Sequence, residues 1–255
     1  MILQRYRATV EYDGTDFLGY QIQAEGRTVQ GEIERSLRQV TGSAVRIDGA
    51  GRTDAGVHAA GQVIAFNVAW KHTLGDLHRA LNATLPRDIS VTNLTITNND
   101  FHPRFNALSR SYRYTVINRP WPSVLQRRYS HHVREPLDVA AMRQASRYLI
   151  GSNDFASFGK PPQGEVTIRH VTQAEWSAGG EQVWFDITAN AFLYRMVRTI
   201  VGTLLQVGQG RLTVDEIEEI LAARDLTRSA APAPACGLCL MHVTYPGENA
   251  AEVQG

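Results

Sequence analysis

The sequence is short of cysteine, lysine and long apolar runs. Two cysteines in 255 residues exclude a disulfide-stapled fold and favour a reducing compartment. No apolar run approaches the ~20 residues that a helical membrane span needs. Residues 1–14 show strand-like alternation and no signal-peptide core. We therefore predict a cytoplasmic protein with no membrane partner, large enough for one domain or two fused halves.

Acidic residues are absent from one long segment, although the net charge is only +1. Only Lys71 and Lys160 are lysines among 26 basic residues, so 24 are arginines. The segment from Phe101 to Arg134 contains no acid, and it carries the arginines Arg104, Arg110, Arg113, Arg119, Arg127, Arg128 and Arg134. Six aromatic residues are interleaved with them. Arginine beside aromatic rings is typical of surfaces that grip phosphates and stack unpaired bases, although charge runs can also be ordinary solvated faces.

The first hundred residues predict six elements in a recognisable order. Strand-like alternation occurs at 5–12, 44–48, 61–68 and 89–97. Thr28 is placed to cap a first helix, whose apolar face is Val29, Ile33, Leu37 and Val40. Leu74, Leu77 and Leu81 indicate a second helix, which Pro86 ends. The order β-α-β-β-α-β is the split βαβ pattern.

The second half repeats this order without sequence identity to the first. We predict strands at 109–118, 167–176, 182–189 and 239–245 and helices at 137–150, 191–208 and 214–223. The predicted fold class is α/β (α+β), with two pseudo-symmetric ferredoxin-like, or RRM-like, halves, mostly antiparallel sheets and an active-site cleft between them. We expect the halves to be 1–105 and 106–246, followed by a flexible tail at 247–255.

The densest cluster of special residues is Gly49–Ala59, GAGRTDAGVHA. Its three glycines permit unusual backbone angles and close approach by a ligand. Arg52 and Asp54 would lie on one side of the loop if the backbone is extended there. A tight turn with a structural ion pair is the alternative interpretation.

Few reactions can use this cluster. A glycosidase pair needs a second acid, yet Asp54 is the only acid between Asp48 and Asp76. No serine or cysteine elbow motif occurs, and the scattered histidines do not form a metal-ligand cluster. Asp54 as the sole nucleophile or base, held ionised by an arginine, fits a reaction without redox change or external energy.

The segment GAGRTDAGVHAAGQV resembles the active-site loop of the tRNA pseudouridine synthase A family. Further segments match that family in register: EYDGTDFLGYQIQ, LNATLPRDI, FHPRFNALSRSYRY, NDFASF, NAFLYRMVRTIVGTLLQVG and GLCLMHVTYP. The resemblance covers about residues 5–246. The chain departs from it at Tyr20, where the family usually has tryptophan, and at 159–169.

The resemblance implies an isomerase that converts uridine to pseudouridine at nucleotides 38 to 40 of the tRNA anticodon stem-loop. It implies no cofactor, no metal and a homodimer whose two subunits both contact tRNA. Asp54 matches the catalytic aspartate and Arg198 an arginine that pairs with it. Arg52 matches an arginine for base flipping and RNA holding, Tyr112 the residue packed on the target base, and Leu238 an apolar residue lining the pocket.

The chemistry agrees with these roles, because a base inside a stack must be flipped out at a cost of a few kcal/mol before it can react. Whether Asp54 attacks covalently or abstracts a proton stays open. Arg195, expected one helical turn before Arg198, and Arg127 and Arg128 are weaker candidates for RNA contact.

Two other functions stay open at this point. One is a non-catalytic, RRM-like RNA-binding protein, and the other is an aspartate-dependent nucleoside hydrolase. Cys236 and Cys239 have redox-motif spacing, but they lead into a strand and not a helix, and a zinc site would need two more ligands.

Overall fold

The computed structural model describes residues 3–161 and 164–248. The chain forms two compact units. Unit 1 ends at Leu108 and is rejoined by the chain from Leu240 onward, and unit 2 is Ser109–Cys239. Residues 249–255 of the expected tail lie outside the described part. In that part, no helix is both long enough and apolar enough to cross a membrane.

Unit 1 has the predicted order of elements. These are β1 Leu3–Tyr12, α1 Val29–Thr41, β2 Ile47–Gly49, β3 His58–Ala69, α2 Leu74–Thr84 and β4 Ile89–Ile96. The strands pair antiparallel in the order β4-β1-β3-β2. The split βαβ prediction is therefore confirmed for this half.

Local sequence signals explain the helices of unit 1. The Thr28 side chain caps α1 by accepting from the Gly31 amide, and Gly42 ends the helix in the left-handed conformation. Thr73 and Asp76 form a reciprocal capping box at the start of α2. Val29 and Leu37, on the predicted apolar face of α1, are fully buried.

Unit 2 also combines strands with helices. Its elements are β5 Ser109–Asn118, β6 His131–Val133, α3 Val139–Ser146, β7 Gly151–Asp154, β8 Ile168–Gly179, β9 Gln182–Ala189, α4 Met196–Gly208 and α5 Glu216–Ala223. The strand order is β5-β9-β8-β7, all antiparallel, with β6 parallel to β5 at its edge. The expected mixed fold with mostly antiparallel sheets is confirmed.

The last strand, β10 Leu238–Thr244, divides the chain differently from the expected boundaries of 105/106 and 246. From Leu240 onward it belongs to unit 1, where it lies beside β3. A Cβ on Gly61 would lie 2.2 Å from the Met241 carbonyl oxygen, so the two backbones are in direct contact. The Leu108 amide also donates to the Thr244 carbonyl at 2.8 Å.

Candidate active site

The residues between β2 and β3 form the aspartate loop, residues 50–57. The Ala50 amide donates to the Val63 carbonyl at 2.8 Å, and the Gln62 side-chain amide donates to the Gly51 carbonyl at 3.0 Å. A turn then brings the Val57 amide to the Asp54 carbonyl at 3.1 Å. The first part of the loop is thus fastened to β3 and the last part is closed on itself.

A second stretch of chain, the bracing segment (residues 13–20), holds the middle of the loop. The Tyr20 amide donates to the Thr53 carbonyl at 3.1 Å, and the Gly56 amide donates to the Phe17 carbonyl at 3.4 Å. The Thr53 hydroxyl shares a buried hydrogen bond of 2.8 Å with the Tyr12 hydroxyl, at the end of β1. Thr53 is thereby fixed through both its side chain and its carbonyl.

Two glycines let the bracing segment lie directly on the aspartate loop. A Cβ on Gly14 would fall 2.0 Å from the Val57 carbonyl oxygen. Gly19 has a φ of +99°, and a Cβ there would fall 2.9 Å from the Thr53 carbonyl oxygen. Strand and helix periodicity does not predict these contacts; the glycine spacing in EYDGTDFLGY is the signal in the sequence that points to them.

The loop presents its two charged residues differently from the residue between them. Thr53 is buried against Tyr12, Arg52 is exposed and Asp54 is half-buried. The small residues Ala55 and Gly56 follow. The loop therefore offers a carboxylate and a guanidinium on a rigid frame with little bulk beside them, which suits close approach by a substrate.

In unit 2, Tyr112 lies on β5 opposite Ile187 of β9. Its ring meets Phe192 edge-on with centroids 5.1 Å apart, and only 9% of the residue is exposed. Tyr114 lies two residues further on and is fully buried. The Tyr114 hydroxyl donates to the Pro234 carbonyl at 2.8 Å. The pKa of Tyr114 is raised, mainly because the side chain is buried.

Arg198 and Leu238 lie in the same part of unit 2 as Tyr114. The Arg198 Nε donates to the Ala233 carbonyl at 2.7 Å, and the Ala233 amide donates back to the Arg198 carbonyl at 2.9 Å. Leu238 is buried at the start of β10. Gly237, the preceding residue, packs against the Tyr114 ring: a Cβ on Gly237 would lie 2.6 Å from a ring carbon. The segment from Ala233 to Leu238 thus contacts both Arg198 and Tyr114.

The sequence predicts Arg195 one helical turn before Arg198, but Arg195 lies just outside the helix. Helix α4 begins at Met196, and Arg195 is its N-cap residue with a left-handed φ of +61°. This conformation is uncommon for a residue with a side chain. The exposed Arg195 guanidinium lies 4.9 Å from the centroid of the Tyr194 ring.

Arg127 and Arg128 lie on an exposed loop of unit 2, the 119–130 loop. Both arginines are exposed. So are three large apolar side chains near them: Trp121 and Val124 are each 76% exposed and Leu125 is 91% exposed. The loop is therefore a mixed surface of arginines and apolar groups.

Cys236 and Cys239 do not form a disulfide bond. Burial raises the pKa of Cys236, and its thiol donates to the Ser130 carbonyl at 3.4 Å. A raised pKa lowers the thiolate fraction and hence the reactivity of the thiol. Within 3–161 and 164–248, no three histidine, cysteine or acidic residues are grouped so as to hold a metal ion.

Comparison with known proteins gives a consistent result. A family model described as tRNA pseudouridine synthase matches residues 8–106 and 145–246. The tRNA pseudouridine synthase A of Brevibacillus brevis is 45% identical over 244 residues, covering 95% of this chain and 100% of that protein. The protein of the same name from Moorella thermoacetica is 45% identical, covering 94% and 98%. A solved Cbf5-Nop10-Gar1 complex aligns with a TM-score of 0.34 at 13% identity over 78% of this chain and 45% of that chain, which is too distant to carry an argument.

Proposed function

Because the chain belongs to the tRNA pseudouridine synthase family and is an isomerase of tRNA uridine, we propose that it modifies nucleotides 38, 39 or 40 of the anticodon stem-loop. The position within tRNA is supported by the sequence resemblance to the tRNA pseudouridine synthase A family. The observation that carries the proposal is the aspartate loop, where the backbone around Asp54 is fixed by β3 and by the bracing segment.

The reaction breaks the bond between the sugar C1′ and uracil N1, turns the base over and joins C1′ to C5. The proton on C5 is lost and N1 gains one, so atoms and electrons balance without an oxidant or a cofactor. Asp54 acts in this scheme either as nucleophile or as the base that takes a proton from the sugar. Its fixed backbone lowers the cost of holding the carboxylate in the reactive position.

The remaining residues have proposed roles around the flipped base. The exposed Arg52 occupies the vacated space or holds phosphates, since guanidinium groups bind phosphate bidentately. The Tyr112 ring packs on the base, and Leu238 lines the pocket. Arg198 is assigned as the charge partner that keeps Asp54 ionised, on the family resemblance.

We further propose a cytoplasmic homodimer that binds tRNA across both subunits. Support for an interface comes from the 119–130 loop, because the exposed apolar side chains of Trp121, Val124 and Leu125 are grouped within five residues. Grouped exposed apolar side chains mark interaction surfaces, whereas single scattered ones do not. Arg127 and Arg128 would form the polar rim of that interface and reach phosphates of the bound RNA. Arg195, exposed at the start of α4, is a third proposed RNA contact.

The test is to incubate the enzyme with tRNA labelled in uridine and to analyse nucleosides by position. The proposal expects pseudouridine at nucleotides 38 to 40 without added cofactor. Released uracil would instead indicate the nucleoside hydrolase, and binding without any change of nucleoside would indicate the RNA-binding protein. Pseudouridine at other positions only would contradict the proposed site in tRNA.

A further inference from the structure

His58, the first residue of β3, is buried directly behind the aspartate loop. Its ring Nδ1 accepts a hydrogen bond of 3.0 Å from the Gly14 amide, across the contact between the bracing segment and the loop. The amide of the preceding residue, Val57, donates to the Asp54 carbonyl and so closes the turn that contains Asp54. His58 therefore links the bracing segment to the turn that contains Asp54.

The contact that His58 holds is close. The Val57 carbonyl lies so near Gly14 that no side chain fits between them. Asp13, beside Gly14, is itself anchored: its amide donates to the Asp88 carbonyl at 3.0 Å, and its carboxylate accepts from the Thr15 amide at 3.0 Å. A shift of the Gly14 backbone would therefore be transmitted to Val57 and the Asp54 turn, and not absorbed by a loose segment.

The bond also specifies the state of the ring. In the form of the ring that accepts from the Gly14 amide, Nδ1 carries no proton. The Asp13 carboxylate lies 3.2 Å from the same nitrogen. A protonated Nδ1 would donate to Asp13 and could no longer accept from Gly14.

We propose that His58 is a positioning residue for the reaction: by accepting from the Gly14 amide it keeps the bracing segment on Val57 and so keeps the Asp54 carboxylate aimed. This inference rests on the proposed function. His58 touches neither substrate nor reacting atoms in this scheme. Its loss is expected to slow the chemical step more than it weakens tRNA binding, because the other proposed RNA contacts, Arg127, Arg128 and Arg195, lie outside the aspartate loop.

Three substitutions separate the acceptor from bulk and polarity. His58→Leu removes the acceptor and keeps an apolar side chain of similar reach. His58→Asn restores an acceptor, because its Oδ1 is as many bonds from Cα as the imidazole Nδ1. His58→Gln is equally polar, but its amide lies one bond further out. His78→Leu is the matched control in unit 1, since His78 bonds the Val91 carbonyl between α2 and β4.

The measurement is the single-turnover rate of pseudouridine formation beside the Kd for tRNA, with folding checked by circular dichroism. We expect His58→Leu to lose roughly ten- to a hundredfold in rate, the scale of a small misplacement of a reacting group. His58→Asn should recover most of that loss, His58→Gln should not, and His78→Leu should keep the wild-type rate. Amide hydrogen exchange at Gly14 and Val57 should be faster in His58→Leu than in wild type.

A folded His58→Leu enzyme with the wild-type rate would overturn the inference. If His58→Leu does not fold, equal rates for the Asn and Gln variants would overturn it instead. Failure of the proposed function is recognised separately, because the wild-type enzyme would then form pseudouridine only at other nucleotides or not at all.

Discussion

The aspartate loop and the 119–130 loop are both irregular segments next to strands, but they are held in opposite ways. The aspartate loop has its backbone bonded to β3 and to the bracing segment, and Thr53 at its centre is buried. The 119–130 loop is bonded to distant residues of unit 2 at its two ends, from Arg119 to Glu181 and from the Cys236 thiol to the Ser130 carbonyl. Between these ends it has local bonds such as that from the Tyr129 amide to the Gln126 carbonyl, and its large apolar side chains are exposed. The first arrangement is typical of a preorganised site and the second of a surface that a partner covers.

The largest expected effect tests whether the aspartate loop is a catalytic site, through substitution of Asp54. Asp54→Asn preserves shape but removes the charge and the nucleophile, and no second acid lies in the loop. We expect pseudouridine formation below detection under single-turnover conditions, while tRNA affinity changes by less than about tenfold, or ~1.4 kcal/mol.

Asp100→Asn is the matched control, because it removes an exposed acid of unit 1 outside the aspartate loop. It should retain wild-type turnover. Appreciable product from a folded, tRNA-binding Asp54→Asn enzyme would remove the catalytic role of this carboxylate.

The next effect tests the brace itself. In Gly14→Ala the new methyl group would meet the backbone of Val57, which no side-chain rotation can relieve. We expect a loss of roughly 1–3 kcal/mol in the free energy of unfolding, as for other overpacked sites, together with slower turnover. Urea unfolding and single-turnover rates measure the two effects.

Gly75→Ala provides the comparison for Gly14→Ala. Gly75 lies in α2, where a Cβ would meet only ordinary contacts at 3.7 Å or more. This variant should be as stable as wild type or more stable, because alanine favours the helix. If the two alanine variants unfold alike, the close approach of the bracing segment does not constrain the loop.

Local sequence patterns predict the strands and helices well, but they do not predict the contact between the bracing segment and the aspartate loop. The strands at 109–118 and 182–189 were predicted to the residue, because alternation and the Gly179–Gly180 turn specify them locally. Helix α4 begins five residues later than the predicted 191, since the apolar run continues through Leu193 into the helix without a local stop signal. The contact between Gly14 and Val57 joins residues 43 positions apart, which periodicity does not encode.

The 119–130 loop gives the third test. If it is the subunit interface, Leu125→Asp places a charge in an apolar contact and should convert a dimer of about 57 kDa, twice 28.3 kDa, into a monomer. Light scattering measures the mass. Val166→Asp, at a side chain that is 67% exposed in the same unit, should leave the dimer intact. A wild-type monomer with full activity would remove the interface altogether.

A smaller effect distinguishes the arginines of this loop from its apolar residues. If Arg127 and Arg128 reach phosphates, replacing both by alanine should weaken all tRNAs alike and reduce the slope of log affinity against log salt by roughly one to two units. The matched control replaces Arg35 and Arg38, two exposed arginines of α1. An equal change of slope in both double variants would indicate a general charge effect.

The smallest expected effect concerns Tyr20 in the bracing segment, where a substitution is expected to raise the free energy of unfolding and not to lower it. The Tyr20 hydroxyl is buried without a hydrogen-bond partner in the described part of the chain, and burial is the largest cause that raises its pKa. Tyr20→Phe removes a polar group that gains nothing from burial, so the free energy of unfolding should stay unchanged or rise by up to roughly 1–2 kcal/mol. Tyr12→Phe is its matched opposite, because that hydroxyl bonds Thr53. It should cost about 1 kcal/mol. Urea unfolding of the pair decides the question: a Tyr20→Phe enzyme less stable than Tyr12→Phe would mean that the Tyr20 hydroxyl, and not only its backbone amide, holds the aspartate loop.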